Sequence, residues 1–152
     1  MNDTAALHKI LQIRENEKKN AEQTHQQSVH AFEQIALQMY ETLKKKESTE
    51  DAYEKNISQI VSIEKMEQHT RYIDQLSQQI DFMQKQVNEA RSEMDTNQQL
   101  VTAAHIEMKK VEKIIDIRNE EFKQQVAREE NAFMDELSMQ QFLKRKIGET
   151  IV

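Results

Sequence analysis

Any reaction centre or metal site in this sequence would have to be built from five histidines and 27 acidic residues, because cysteine is absent. The histidines are His8, His25, His30, His69 and His105. No two stand four apart and none belongs to a His-Glu-x-x-His run, so no pair on one helical face could grip a zinc ion. Without cysteine there is no disulfide scaffold and no thiolate ligand, a composition that fits a reducing cytoplasm. Gly148 is the only glycine, which leaves no glycine loop to cradle a phosphate. Carboxylates stand in pairs, as at Glu15/Glu17 and Glu129/Glu130. General acid–base chemistry needs a cleft that shifts a pKa and excludes water, and on a solvated helix such pairs are surface charge. No catalytic, cofactor-binding or metal-binding residue is expected, and the chain reads as a protein-binding protein rather than an enzyme.

The elements that would position any of these residues are few. With no proline and one glycine in 152 residues, chain reversals are scarce and helices long. The fold class is all-α: a long two-helix antiparallel coiled coil, a helical hairpin with helix 2 longer than helix 1. No stretch approaches 18 apolar residues, so no membrane span is expected, and the opening Met1-Asn2-Asp3-Thr4 lacks a signal-peptide pattern. The net charge of −6, with both signs intermixed, argues against nucleic acid as a partner. The basic clusters Lys44-Lys45-Lys46 and Lys144-Arg145-Lys146 read as solvated helix faces.

The clearest pattern begins at Met66. Residues seven apart are Met66, Ile73, Ile80, Val87, Met94, Val101, Met108, Ile115 and Phe122, an unbroken apolar line at heptad spacing. Three residues on lie His69, Leu76, Met83, Ala90, Asn97, Ala104, Val111 and Arg118. A seam this narrow specifies one partner helix rather than a globular core, and Asn97 within it reads as a register-fixing amide. In the first half a matching seam is expected over Val29, Phe32, Ala36, Met39 and Leu43, then Tyr53, Ile57 and Ile60, broken by Lys46 and Glu50. Between Arg14 and Ser28 only Ala21 is apolar, which predicts the weakest pairing there.

The single domain, residues 1–152, divides into helix 1 over about 4–56, a turn over about 57–62 and helix 2 over about 63–147. Ser62 is the expected N-cap with Glu64 in the first turn, and Val61 with Met66 would form a hydrophobic staple. One continuous helix in an intermolecular dimer is the alternative. A reversal centred near residue 59 would set Phe32 against the Val87 layer and Leu7 near Glu112. Helix 2, on the order of 130 Å long at 1.5 Å per residue, would then have no intramolecular partner beyond residue 120. That overhang holds Phe122, Val126, Phe133, Met134, Leu137, Met139, Phe142 and Leu143. An uncovered apolar line of this kind predicts a partner, and the step from Phe122 through Val126 to Phe133 is a stutter in the repeat. A frayed tail or self-association is the competing reading. Tyr72 and Phe82 lie off the core line and either anchor a partner or pack on the opposite helix.

Three segments carry a family resemblance. They are Leu7-His8-Lys9-Ile10-Leu11-Gln12-Ile13-Arg14-Glu15-Asn16-Glu17 with Ala21, Met66 through Tyr72-Ile73-Asp74-Gln75-Leu76 to Ile80, and Glu129-Glu130 with Met134-Asp135-Glu136-Leu137. In this order, over essentially the whole chain, they resemble the FliJ family, the coiled-coil soluble component of the flagellar type III export apparatus. The resemblance implies a hairpin similar to the γ shaft of rotary ATP synthases. It would engage the hexameric export ATPase (FliI-like), promote ring assembly, and link the ring to the export gate protein (FlhA-like) and to export chaperones. The location implied is cytoplasmic, peripheral at the inner membrane through partners and without insertion.

The end most in need of an apolar collar supplies the expected ATPase contacts Leu7, Ile10, Leu11, Arg14, Phe122, Phe133 and Leu137. The family's gate-binding face maps onto Tyr72, Leu76, Gln79 and Met83, of which only the first two match its pattern, and Leu76 and Met83 are also core positions. The alternatives are a general coiled-coil scaffold and a holdase-type chaperone, neither with a dedicated ATPase partner.

Overall fold

The computed structural model describes residues 4–57 and 62–151, with side chains through Gly148. Two helices make up the hairpin: α1, Ala5–Ile57, and the longer α2, Ile63–Ile151. No strand occurs among the described residues. Of the proposed reversal at 57–62, positions 58–61 lie outside the described residues, and with them Ile60 and the Val61 half of the staple. Ser62 caps α2: its carbonyl accepts the Lys65 N–H at 3.1 Å and the Met66 N–H at 3.4 Å, and its Oγ accepts from Lys65 N–H at 3.4 Å. Glu64 stands in the first turn, where a negative charge meets the unpaired amides of a helix start.

The chain forms two compact units, one of Met1–Asn16 with His105–Val152 and one of Glu17–Ala104. In the Glu17–Ala104 unit the inward positions of α2 are Met66, His69, Ile73, Leu76, Ile80, Met83, Val87, Ala90, Met94, Asn97, Val101 and Ala104, every one at least half-buried. The opposing positions of α1 alternate three and four apart through Lys18, Ala21, His25, Ser28, Phe32, Ile35, Met39, Thr42, Lys46, Thr49, Tyr53 and Asn56, and all are likewise covered. One helix therefore brings a mostly apolar line and the other a line in which more than half the residues are polar.

This inner line corrects the expected α1 seam. Leu43 is 41% exposed whereas its neighbour Thr42 is 8% exposed. From Met39 the inward step is three residues, to Thr42, and the buried hydroxyl is satisfied because Thr42 Oγ1 donates to the Gln38 carbonyl at 2.9 Å. Lys46 continues the line instead of breaking it. Its stem lies along the seam while its ammonium reaches Glu50 at 3.8 Å, as long basic side chains do at helix flanks.

The pairing offset also differs from the expected one. Phe32 lies against Arg91, whose guanidinium carbon is 5.6 Å from the ring centroid, about one helical turn beyond the Val87 layer. Asn97 faces Ser28: its Nδ2 donates to Ser28 Oγ, and that hydroxyl donates in turn to the Thr24 carbonyl at 2.8 Å. A slipped register would strand this amide beside apolar side chains, where an unmet hydrogen bond costs about 1 to 3 kcal/mol. The burial itself is shallow. Leu76, at 3% exposure, is the most buried apolar side chain among the described residues, as a single two-helix seam dictates.

Candidate partner-binding surface

In the unit of Met1–Asn16 with His105–Val152, α1 begins at a buried Thr4 whose carbonyl accepts the His8 N–H at 2.9 Å. Its next inward residues, Leu7, Leu11 and Arg14, are half-buried, and α2 answers with buried Met108, Val111 and Ile115. Leu11, with His8, shares a shallow cleft with Glu112, Ile115, Asp116 and Asn119. Leu11 thus takes the place beside Glu112 that a reversal near residue 59 gives to Leu7. All seven residues expected to contact an ATPase, Leu7, Ile10, Leu11, Arg14, Phe122, Phe133 and Leu137, belong to this unit. Leu7 and Leu11 are partly used by the hairpin itself, whereas Ile10, Phe122, Phe133 and Leu137 are exposed.

From Glu120 to Gly148 every side chain except Val126 is exposed. With 100° between successive residues, Phe133, Leu137 and Ile147 share one face about 80° wide. Met134, Phe142, Met139 and Leu143 fall around the remainder of the circle. Phe133 is 61% exposed, Phe142 62% and Met139 67%. They alternate around the helix with Asp135, Glu136, Ser138, Gln140 and Gln141, so this end of α2 exposes large apolar side chains on several sides, each between polar neighbours. The cations Lys144, Arg145 and Lys146 stand within it, Lys146 Nζ lying 5.6 Å from the Phe142 ring centroid.

Some surface residues escaped the seven-residue reading. Ile13, Ile114 and Ile117 are exposed. With Ile10 they lie on one flank of the hairpin, because Ile10 and Ile114 follow the seam as g positions while Ile13 and Ile117 are the adjoining c positions. Their signal was available as isoleucines standing off the core line.

The residues expected at an export gate divide between interior and surface. Leu76 is buried and Met83 half-buried in the seam, while Tyr72 and Gln79 are exposed seven residues apart on one flank. Tyr72 borders an open cleft with Ser48, Thr49, Ala52, Gln68 and His69. Phe82 is 61% exposed.

Among the described residues no helix is long and apolar enough to cross a membrane, and no group of three or more His, Asp or Glu could hold a metal ion. Comparison with known proteins gives two matches. The family model described as "Flagellar FliJ protein" matches residues 3–146. A relative from Bacillus subtilis (strain 168), "Flagellar FliJ protein", is 33% identical over 135 residues, covering 89% of this chain and 92% of that protein. No solved structure matches the chain. A match that runs from the first turn of α1 to the exposed end of α2 places this chain in the flagellar FliJ protein family.

Proposed function

We propose that the chain is a non-enzymatic stalk of the flagellar type III protein export apparatus, and that it enters the pore of the hexameric export ATPase with the end of α2. The observation that carries this reading is the set of large apolar side chains from Phe133 to Ile147, all exposed and spread over several sides of the helix among polar residues. A flat binding site would cover one face of a helix; a ring pore covers every face. Burying several such side chains at about 1.5 to 3 kcal/mol each gives a driving force large enough to assemble subunits around the stalk. Leu7, Ile10, Leu11, Arg14 and Phe122 extend the contact toward the hairpin, and Leu137 with Phe133 forms its centre. The link to the export gate uses Tyr72 and Gln79, with Leu76 and Met83 supporting that flank from inside the seam. Export chaperones complete the partner set, and the chain works at the cytoplasmic face of the inner membrane through these partners.

The test uses the purified export ATPase of the same organism with and without the chain, reading hexamer content and ATP turnover. The wild-type chain raises both, and Phe122→Ser with Phe133→Ser and Leu137→Ser removes the effect. A chain that neither binds nor stimulates the ATPase would leave the general scaffold reading in its place.

A further inference from the structure

The α1 face displaced from the core by the corrected register has a use of its own. Val29, Ala36 and Leu43 recur every seven residues one position outward from the seam, and Tyr40 stands beside them. Tyr40 and Leu43 are exposed, and Val29 and Ala36 half-covered. In an antiparallel pair the outward e positions of the two helices share a side. The Phe32–Arg91 contact, a core position of α1 against an e position of α2, fixes which side that is. The floor of this groove is therefore apolar on the α1 wall.

Its rims are acidic on both walls. Glu33 and Glu47 flank Tyr40 at seven-residue spacing on α1; on α2 the matching outer line is Asp81, Asn88 and Asp95, with Asp74 one heptad beyond the Leu43 end, all exposed. The cation on this side, Arg91, is engaged on Phe32, and Lys44 lies 5.1 Å from the Tyr40 ring centroid at the outer edge. The opposite flank at the same level carries Gln38, Gln79 and Gln86 together with Glu41, Glu89, Glu93 and Lys45, so the combination of acidic rims with an apolar floor of Val29, Ala36 and Leu43 distinguishes the groove.

We infer that this groove in the Glu17–Ala104 unit docks an amphipathic helix of another protein, with an apolar stripe flanked by lysine and arginine. Apolar residues at heptad spacing on the floor call for a helix as the third strand of a coiled coil. Two acidic rims select basic flanks and disfavour nucleic acid and anionic lipid surfaces. From Val29 to Leu43 the groove runs for about 21 Å, so the docked segment spans two to three heptads. The inference is independent of the ATPase reading, which concerns a different unit of the molecule.

The experiment measures binding of a fluorescent synthetic helix of three heptads to the full chain. The helix carries leucine at its a and d positions and lysine at its e and g positions. Controls replace the lysines by glutamate or scramble the leucines. Binding is expected for the lysine peptide, at least tenfold weaker for both controls, and to weaken with added salt. Tyr40→Ser with Leu43→Ser lowers affinity at least tenfold at unchanged helicity. Asp74→Asn with Asp81→Asn and Asp95→Asn lowers affinity and flattens the salt dependence without touching the apolar floor. Affinity unaltered in both variants, or lost instead in Phe133→Ser with Phe142→Ser, overturns the proposal. Sedimentation showing that the chain dimerises through Tyr40 and Leu43 overturns it as well, by making a second copy the occupant.

Discussion

Two stretches of α2 carry large apolar side chains at seam-like spacing and differ in what covers them. From Met66 to Ile115 each inward residue is at least half-buried, while from Glu120 to Gly148 every side chain but Val126 is exposed. The first stretch presents apolar residues on one narrow line. Near its end the second presents them on several sides of the helix, among polar residues. Apolar spacing on one narrow line is met by a single opposing helix in the seam, whereas the wider angular spread at the end is the feature behind the proposed enclosing partner. One stretch holds the hairpin together; the other, exposed in the single chain, contributes little to its stability.

The contrast is testable by removing side chains from each stretch in turn. The largest expected effect is Leu76→Ala, which leaves a void in the seam and costs about 2 to 3 kcal/mol of hairpin stability, read as a lower midpoint in urea. Next comes Asn97→Ala. Ser28 Oγ loses its incoming donor and keeps its bond to the Thr24 carbonyl, so the loss is about 1 kcal/mol, measured by the same titration. Ser62→Ala removes the α2 cap at a cost of about 1 kcal/mol, seen as faster amide exchange in the first turn of α2. Smallest of all, Phe133→Ser changes the midpoint by less than about 0.5 kcal/mol, because its side chain is already in water. A Phe133→Ser variant as unstable as Leu76→Ala would erase the distinction between the stretches.

The fold class and α2's inner line were legible because the line is almost purely apolar from Met66 to Ile115. The α1 line was legible only in part. Its inward positions include Lys18, His25, Ser28, Thr42 and Lys46, whose hydroxyls are satisfied within the helix or by Asn97 and whose long stems lie along the seam. A reading that counts apolar residues shifts toward Val29, Ala36 and Leu43, one position outward, and the same shift conceals the acidic-rimmed groove. The offset between helices followed from an assumed centre of reversal, and one hydrogen-bonded layer, Ser28 with Asn97, sets it instead. The overhang was legible because helix 2 carries more apolar repeat than helix 1 can cover. Ile114 and Ile117 stand out in the sequence as isoleucines off the core line, but that they share a flank with Ile10 and Ile13 shows only when both helices are placed side by side.

The most direct measurement pairs thermal unfolding with export-ATPase turnover for a chain ending at Asn119. If α2 beyond that point serves a partner, the shortened chain keeps the helical hairpin and its unfolding midpoint but no longer stimulates turnover or hexamer formation. A shortened chain that stimulates the ATPase as the full chain does would contradict the assignment of the overhang as the stalk's point of engagement.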